Sequence, residues 1–268
     1  MTHFIVTKEH RRFVEFAHAV RKQRTIGICV GPAGVGKTVS ARRYTRWDTL
    51  HPFLQEWGPR QDSDAQMYAL ASKTRTAFYT PAVLASPKAI HVDLDHEITR
   101  LGVCIEQHRD RDAEPGLVHR GDCRDLVDMV IIDESERLSA TTLEVLRDEH
   151  DRSHRAMVLI GMPGLDKRFS HYPQLYSRLG FAHQYRPLTN DELLFVLGRQ
   201  WKRLGQDLNT DDFTDAQAVA AIQRITRGNF RLLERLLPQI QRVLKINDLS
   251  TITDDVIEAA ASTLVIGA

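Results

Sequence analysis

The chain has 268 residues and a formal net charge of +1, with apolar and charged fractions of 42% and 26%. This composition fits one large domain or a core domain with a small one. No apolar run is long enough to span a bilayer, and the first ten residues lack the basic-then-apolar layout of a signal peptide. Three cysteines cannot all pair with one another, so we expect a reduced, cytoplasmic protein with no membrane partner. The near-neutral charge neither indicates nor excludes binding to nucleic acid.

The first segment, residues 1–24, combines basic and apolar residues at helical spacing. Phe13, Phe16, Ala17 and Val20 alternate with lysines and arginines between residues 8 and 24, which predicts a basic amphipathic helix. Two interpretations stay open. The helix packs on the core with a solvated basic face, or that face contacts DNA phosphates.

A glycine-rich loop follows the first predicted strand, Ile26–Val30. The loop, Gly31-Pro-Ala-Gly-Val-Gly-Lys-Thr38, matches GxxxxGK[ST] and precedes a predicted helix, which is the context of a phosphate-binding P-loop. Its backbone N–H groups surround phosphate oxygens, Lys37 reaches the β- and γ-phosphates, and the Thr38 hydroxyl ligates Mg²⁺. We therefore predict a nucleoside triphosphate site formed by Gly31, Pro32, Ala33, Gly34, Val35, Gly36, Lys37, Thr38 and Val39.

Strands and helices alternate over the next part of the chain. The helix from Val39 to about Asp48 is interrupted by Pro52, and residues 60–75 have no clear pattern. We predict further strands at 76–80, 127–132, 156–160 and 182–185, helices at 88–101 (stopped near Gly102) and 139–148, and an exposed loop at 106–124. Apolar strands alternating with helices predict a parallel five-stranded sheet with helices on both faces.

From Leu188 onward the pattern is wholly helical. Candidate helices cover 189–203, 214–227, 229–246 and 253–264, with a kink expected at Pro238. The pattern predicts an α/β core over residues 25–187, followed by a small helical C-terminal lid over 188–268.

Two acids end the third predicted strand, in Met129-Val-Ile-Ile-Asp-Glu134. A buried strand that ends in Asp133 places a carboxylate beside the P-loop, where it holds Mg²⁺ together with Thr38. The adjacent Glu134 is placed to orient or deprotonate the attacking water. We therefore predict Asp133 as a metal ligand and Glu134 as a catalytic residue.

Hydrolysis also requires cations that stabilise charge on the transferred phosphoryl group. Arg231, in Gly228-Asn-Phe-Arg231, begins a helix and lies off its apolar stripe, so it is placed to approach the γ-phosphate. Arg178, just before the fifth strand, is a candidate arginine finger that reaches the nucleotide of a neighbouring subunit. For both, the alternative is an ordinary surface ion pair.

Two further pairs have the spacing of zinc ligands. Cys104 and His108 lie four residues apart, and so do His119 and Cys123. The intervening segment is rich in Asp, Arg and Pro, so unrelated thiols and loop histidines are the competing interpretation.

Taken in order, the P-loop, the Asp133-Glu134 pair and Gly228-Asn-Phe-Arg231 resemble an AAA+ ATPase. More narrowly, the chain resembles the MuB, TnsC and TniB group of ATP-dependent transposition regulators. The narrower resemblance rests on Tyr79-Thr-Pro81, Ile131–Leu138, Leu159–Leu165, Pro173–Arg178 and Asp255–Ala259.

The resemblance implies a sheet in which the Leu159 strand lies between the P-loop strand and the Asp133 strand. It assigns Lys37 and Thr38 to Walker A, Asp133 and Glu134 to Walker B, and Arg231 to sensor 2. It also implies ATP-dependent homo-oligomers, rings or helical filaments, on double-stranded DNA that recruit or activate a transposase. The fourth strand ends Ile160-Gly161-Met162 where the family usually carries a polar sensor-1 residue. Either another side chain positions the water or hydrolysis is slow, as suits a switch.

Three functions remain open from the sequence. The first is the DNA-bound transposition ATPase, with candidate phosphate contacts at arginines 42, 43, 46, 100 and 109. The second is a replication-type helicase loader that engages single strands, although no cluster of interleaved aromatic and basic residues supports it. The third is a nucleotide-gated signalling module that does not bind DNA.

Overall fold

The structure, a computed structural model, describes residues 4–56, 61–110, 122–203 and 206–264. The chain forms two compact units. The first comprises Arg12–Gly31 and Lys37–Gln184, and the second comprises Met1–Arg11, Pro32–Gly36 and Tyr185–Ala268. The proposed boundaries at 24/25 and 187/188 stay predictions.

The first unit is built on a parallel sheet. Its strands are β1 (Ile26–Val30), β2 (Thr76–Tyr79), β3 (Met129–Ile132), β4 (Ala156–Gly161) and β5 (Leu179–Gln184). All neighbours are parallel in the order β2-β3-β4-β1-β5, which confirms the predicted five-stranded sheet. β4 pairs with both β1 and β3, as the resemblance implied. The carboxyl ends of β1 and β3 therefore reach the same edge of the sheet.

Helices precede and connect these strands. They are α1 (Lys8–Gln23), α2 (Lys37–Thr45), α3 (Trp47–Gln55), α4 (Ala65–Thr74), α5 (Pro87–Asp110), α6 (Ala140–Ser153), α7 (Leu165–Ser170) and α8 (Pro173–Tyr176). Phe16 and Val20 of α1 pack directly on β1, since a Cβ at Gly27 would lie 2.5 Å from Val20 Cγ2 and 2.8 Å from Phe16 Cζ. The short helices α7 and α8, and α4 within the unassigned 60–75 stretch, were not predicted.

Pro52 does not interrupt helical structure, which corrects the sequence prediction. The break lies earlier, at Arg46, whose φ of 56° separates α2 from α3. Pro52 then lies inside α3, where the fully buried Leu50 and Leu54 hold the short helix on the core. Packing of these side chains offsets the backbone hydrogen bond that proline removes.

Gly102 does not end α5, which is a second correction. The helix continues to Asp110, so residues 106–110 of the predicted loop are helical, and residues 111–121 lie outside the described part. A Cβ at Gly102 would lie 2.3 Å from the Cys123 carbonyl oxygen. Glycine at this position therefore allows the short 3₁₀ turn Cys123–Leu126 to approach the helix closely, and it does not end the helix.

The second unit contains four helices among its described residues. These are α9 (Asn190–Arg203), α10 (Phe213–Thr226), α11 (Phe230–Ile246, which includes Pro238) and α12 (Asp254–Ala261). Side-chain caps from Asp212, Asn229 and Thr253 begin the last three. Their buried residues form one core, which includes the fully buried Trp201 and Leu236, and Ile5 joins it from the start of the chain. The helical C-terminal region is confirmed.

Candidate functional site

The loop between β1 and α2 has the backbone conformation that its glycines permit. Gly34 and Gly36 have φ values of 79° and 107°, which other residues rarely adopt. Val35 is buried, whereas Pro32, Ala33 and Val39 are exposed. The loop therefore presents backbone N–H groups without the obstruction of bulky side chains.

Lys37 is the first residue of α2 and is only 8% exposed. Its ammonium donates to the Gly31 carbonyl oxygen, with 2.5 Å between Nζ and O. Burial lowers the pKa of Lys37, and the nearby Cys29 and the carboxylates of Asp133, Glu136 and Glu134 oppose this shift. The structure thus brings Lys37 together with the acids at the end of β3.

Asp133 and Thr38 lie side by side at this edge of the sheet. Asp133 is 3% exposed and accepts hydrogen bonds from the Thr38 hydroxyl and from the Glu134 N–H, the latter at 2.9 Å. Burial raises the pKa of Asp133, and these two hydrogen bonds act in the opposite direction. A carboxylate and a hydroxyl are hard oxygen donors of the kind Mg²⁺ prefers. The arrangement fits the predicted metal ligands.

Glu134 directly follows Asp133 in a left-handed conformation, with φ of 51°. Its side chain is 41% exposed and lies 3.7 Å from the Arg137 guanidinium, which itself donates to the Pro81 carbonyl oxygen. An accessible carboxylate beside Lys37 and Asp133 is suited to accept a proton from water.

Glu136 is a third acid at this site that sequence analysis did not single out. Its Oε2 atom is buried without a hydrogen-bond partner among the described residues, and it lies 2.7 Å from where a Cβ of Gly161 would be. Glu136 thus lies against the end of β4, where the polar sensor-1 residue is missing. In the sequence, Glu136 is marked only by its position three residues after Asp133. That position does not predict that the 3₁₀ turn Ser135–Arg137 directs the Glu136 side chain to β4.

Arg231 and the P-loop segment Pro32–Gly36 meet within the second unit. The Arg231 backbone N–H donates to the Gly34 carbonyl oxygen at 2.9 Å, and the Asn229 side-chain amide donates to the Ala33 carbonyl oxygen at 2.8 Å. The Arg231 side chain is exposed. Asn229 is a second residue that sequence analysis did not single out, although the Gly228-Asn-Phe-Arg231 motif contains it.

Arg178 lies apart from these residues. It immediately precedes β5, at the amino end of the sheet, and its carbonyl oxygen accepts from the Ile26 N–H at 3.2 Å. Its guanidinium donates to Asp151 at 2.6 and 2.7 Å and to the Gln174 carbonyl oxygen at 2.6 Å. This contact holds the pKa of Asp151 below its ordinary value. The structure does not bring Arg178 to Lys37 of its own chain, and the role in a neighbouring subunit stays a prediction.

The candidate DNA-contacting arginines differ in their surroundings. Arg43, Arg46 and Arg109 are exposed. Arg42 pairs with Asp48 at 2.6 Å, and Arg100 donates to the Gln55 side chain at 2.8 Å.

The possible zinc ligands are not assembled in the described residues. Cys104 is buried in α5, the Cys123 thiol lies 3.8 Å from the Thr99 carbonyl oxygen, and His119 lies outside the described part. No group of three or more potential ligands occurs among the residues that the structure describes. None of the helices in that part has the length and apolar character needed to cross a bilayer.

Comparison with known proteins places the chain in a family. A model of the AAA domain matches residues 20–169. A potential ATP-binding protein of Staphylococcus aureus is 41% identical over an alignment 276 positions long, which covers 98% of this chain and 97% of that protein.

Solved structures share the fold at low sequence identity. The RuvB Holliday junction branch migration motor of Thermotoga maritima has a TM-score of 0.56 and 18% identity, over 97% of this chain and 70% of that one. The ORC2 protein of Aeropyrum pernix, in its ADP form, has a TM-score of 0.54 and 14% identity, over 95% and 67%. The chain therefore belongs to the AAA domain family and has the fold of a P-loop ATPase.

Proposed function

We propose that the protein is an ATP-dependent regulator of DNA transposition, which oligomerises on double-stranded DNA in its ATP-bound form and recruits or activates a transposase. The observation that carries the nucleotide part is the joint placement of Lys37, Thr38 and Asp133 at one sheet edge. The transposition part is supported by the motifs that resemble the MuB, TnsC and TniB group.

In this proposal the chain hydrolyses ATP with residues of defined roles. Lys37 binds the β- and γ-phosphates, and Thr38 and Asp133 hold Mg²⁺, which neutralises phosphate charge when bound. Glu134 orients the attacking water and accepts its proton. Arg231, and Arg178 from a neighbouring subunit, stabilise negative charge on the transferred group.

The residues at the end of β4 support slow hydrolysis. Gly161 offers no side chain to orient water, and the adjacent Glu136 is an acid, so it repels phosphate when ionised. A long-lived ATP state suits a switch whose assembly must persist. Turnover at the rate of a motor ATPase would contradict this part of the proposal.

DNA binding is supported by the exposed arginines 43, 46 and 109. Such residues contact phosphates, so binding would be nearly independent of sequence and weakened by salt. One protein of the same fold is a Holliday junction branch migration motor, as its name states, which is compatible with this role.

The test is co-sedimentation of the purified protein with a random duplex in ATP, ADP or no nucleotide. We expect large protein–DNA assemblies with ATP but not with ADP or without nucleotide, and we expect them to dissociate as salt rises. In Glu134→Gln the assemblies should persist, because that variant binds ATP without hydrolysing it. Glu144→Gln is the matched control, since Glu144 pairs with Arg147 on α6. ATP binding without duplex association would overturn the proposal, and would favour single-strand loading or signalling through proteins alone.

A further inference from the structure

The start of α11 binds the backbone of the P-loop at two consecutive carbonyl groups. The Asn229 side-chain amide donates to the Ala33 carbonyl oxygen at 2.8 Å, and the Arg231 N–H donates to the Gly34 carbonyl oxygen at 2.9 Å. All four residues belong to the second unit. The contact is made by one side chain and one backbone group, so it does not require the Arg231 side chain.

The orientation of the Asn229 amide follows from its own hydrogen bonds. Its Oδ1 atom accepts from the N–H groups of Arg231 and Leu232, at 3.1 and 3.2 Å, and thereby caps α11. An amide nitrogen in that position could not accept these bonds, so Nδ2 is the atom that faces Ala33. The two side-chain atoms of Asn229 therefore have separate roles: Oδ1 caps α11, and Nδ2 donates to the P-loop backbone.

Gly34 permits the same contact because it has no side chain. A Cβ on Gly34 would lie 2.5 Å from Asn229 Oδ1 and 2.9 Å from Arg231 Cβ, both far inside van der Waals contact. The glycine at this motif position therefore meets two needs, a φ of 79° and the close approach of α11.

The geometry of the peptide bond links this contact to phosphate binding. In a trans peptide the carbonyl oxygen and the following N–H point in opposite directions, and the described residues contain no cis peptide. Holding the Ala33 and Gly34 oxygens towards α11 therefore turns the N–H groups of Gly34 and Val35 away from it. In a P-loop, those N–H groups bind phosphate oxygens.

We propose that Asn229 is a positioning residue for nucleotide binding: its Nδ2 fixes the Ala33 carbonyl, and with the Arg231 N–H it holds the P-loop in its phosphate-binding conformation before ATP arrives. The proposal rests on ATP binding by the P-loop. Asn229 contacts no reacting atom, and its effect is transmitted through the loop backbone.

The test is Asn229→Ser, which keeps a side-chain oxygen to cap α11 but removes Nδ2. We expect ATP and ADP to bind roughly three- to tenfold more weakly, the effect of losing one neutral hydrogen bond, and the melting temperature to fall by only about 2–4 °C. Amide exchange in residues 33–36 of the nucleotide-free protein should accelerate, while α11 keeps its protection. A role limited to capping would not produce this pattern.

Asp212→Ser is the matched control, because Asp212 caps α10 through the N–H groups of Thr214 and Asp215. It should leave nucleotide binding unchanged. Asn229→Thr keeps a neutral capping oxygen and also lacks Nδ2, so it serves if the serine variant folds poorly. Wild-type affinity and loop exchange in whichever Asn229 variant folds would overturn the proposal. Lys37→Ala distinguishes failure of the nucleotide site from failure of the Asn229 role. If Lys37→Ala retains wild-type ATP affinity, the assignment of the nucleotide site is wrong. If Lys37→Ala loses ATP binding while the Asn229 variants bind ATP like the wild type, only the role of Asn229 is refuted.

Discussion

Glu136 is a half-buried acid beside the end of β4, and its ionisation lowers the stability of the fold. Burial raises the pKa of its carboxyl group, and the neighbouring Glu134 and Asp133 add to this shift. The folded protein therefore binds this proton more tightly than the unfolded chain does. Stability from this group is present at low pH and is lost as the pH rises through the raised pKa.

Glu136→Gln should consequently make the nucleotide-free protein more stable than the wild type at about pH 8, because the amide carries no charge. The gain should shrink as the pH falls through the raised pKa towards the ordinary carboxyl value of 4.5. Thermal melting across this pH range measures this gain in stability, with Glu144→Gln as the control, since the Glu144 side chain is 43% exposed. A Glu136→Gln protein that melts below the wild type at the higher pH would contradict the account.

The sequence predicts some residues of the site better than others. Lys37, Thr38 and Asp133 can be located because a loop and a strand end reach the same edge of a parallel sheet. Glu136 could not be located, since its position depends on how a 3₁₀ turn folds onto β4. The Asp151 partner of Arg178 could not be predicted either, because the pair lies 27 residues apart on different elements.

At the scale of elements, α5 shows why local signals can mislead. Glycine favours helix ends, so the sequence predicts a stop near Gly102. In the structure the 3₁₀ turn Cys123–Leu126 crosses the helix there, and the contact that requires glycine is tertiary. Strands β1 to β4 were predictable because burial on both faces demands a continuous apolar run. Pro52 misled for a similar reason, because packing of Leu50 and Leu54 overrides the local effect of proline.

Gly102→Ala should therefore destabilise the protein by about 1–3 kcal/mol, because its Cβ meets the backbone of Cys123 and overpacking exceeds the gain in helix propensity. Gly198→Ala in α9 is the matched control, since nothing lies within 4 Å of its Cβ position. That variant should gain about 0.5–1 kcal/mol. Urea unfolding measures both free energies, and equal effects of the two substitutions would refute this interpretation of Gly102.

At the scale of the whole molecule, Arg178 tests whether subunits share a site. Arg178→Ala should lower ATP turnover by about 10³-fold if the guanidinium acts on a neighbouring nucleotide. Mixing it with Glu134→Gln should partly restore turnover, because some interfaces then combine an intact Glu134 with an intact Arg178. Arg152→Ala, an exposed residue paired with Asp148 on α6, should have no effect. Absence of rescue at every mixing ratio would rule out the shared site.

The most direct test of the central claim, that this P-loop binds ATP, is calorimetric titration of ATP with Mg²⁺ into the wild type and Lys37→Ala. We predict saturable binding by the wild type and affinity weakened by about 100-fold or more in the variant, because Lys37 makes charge-assisted hydrogen bonds to phosphate. A wild-type protein that binds no ATP, or a Lys37→Ala protein that binds it as tightly as the wild type, would contradict the account.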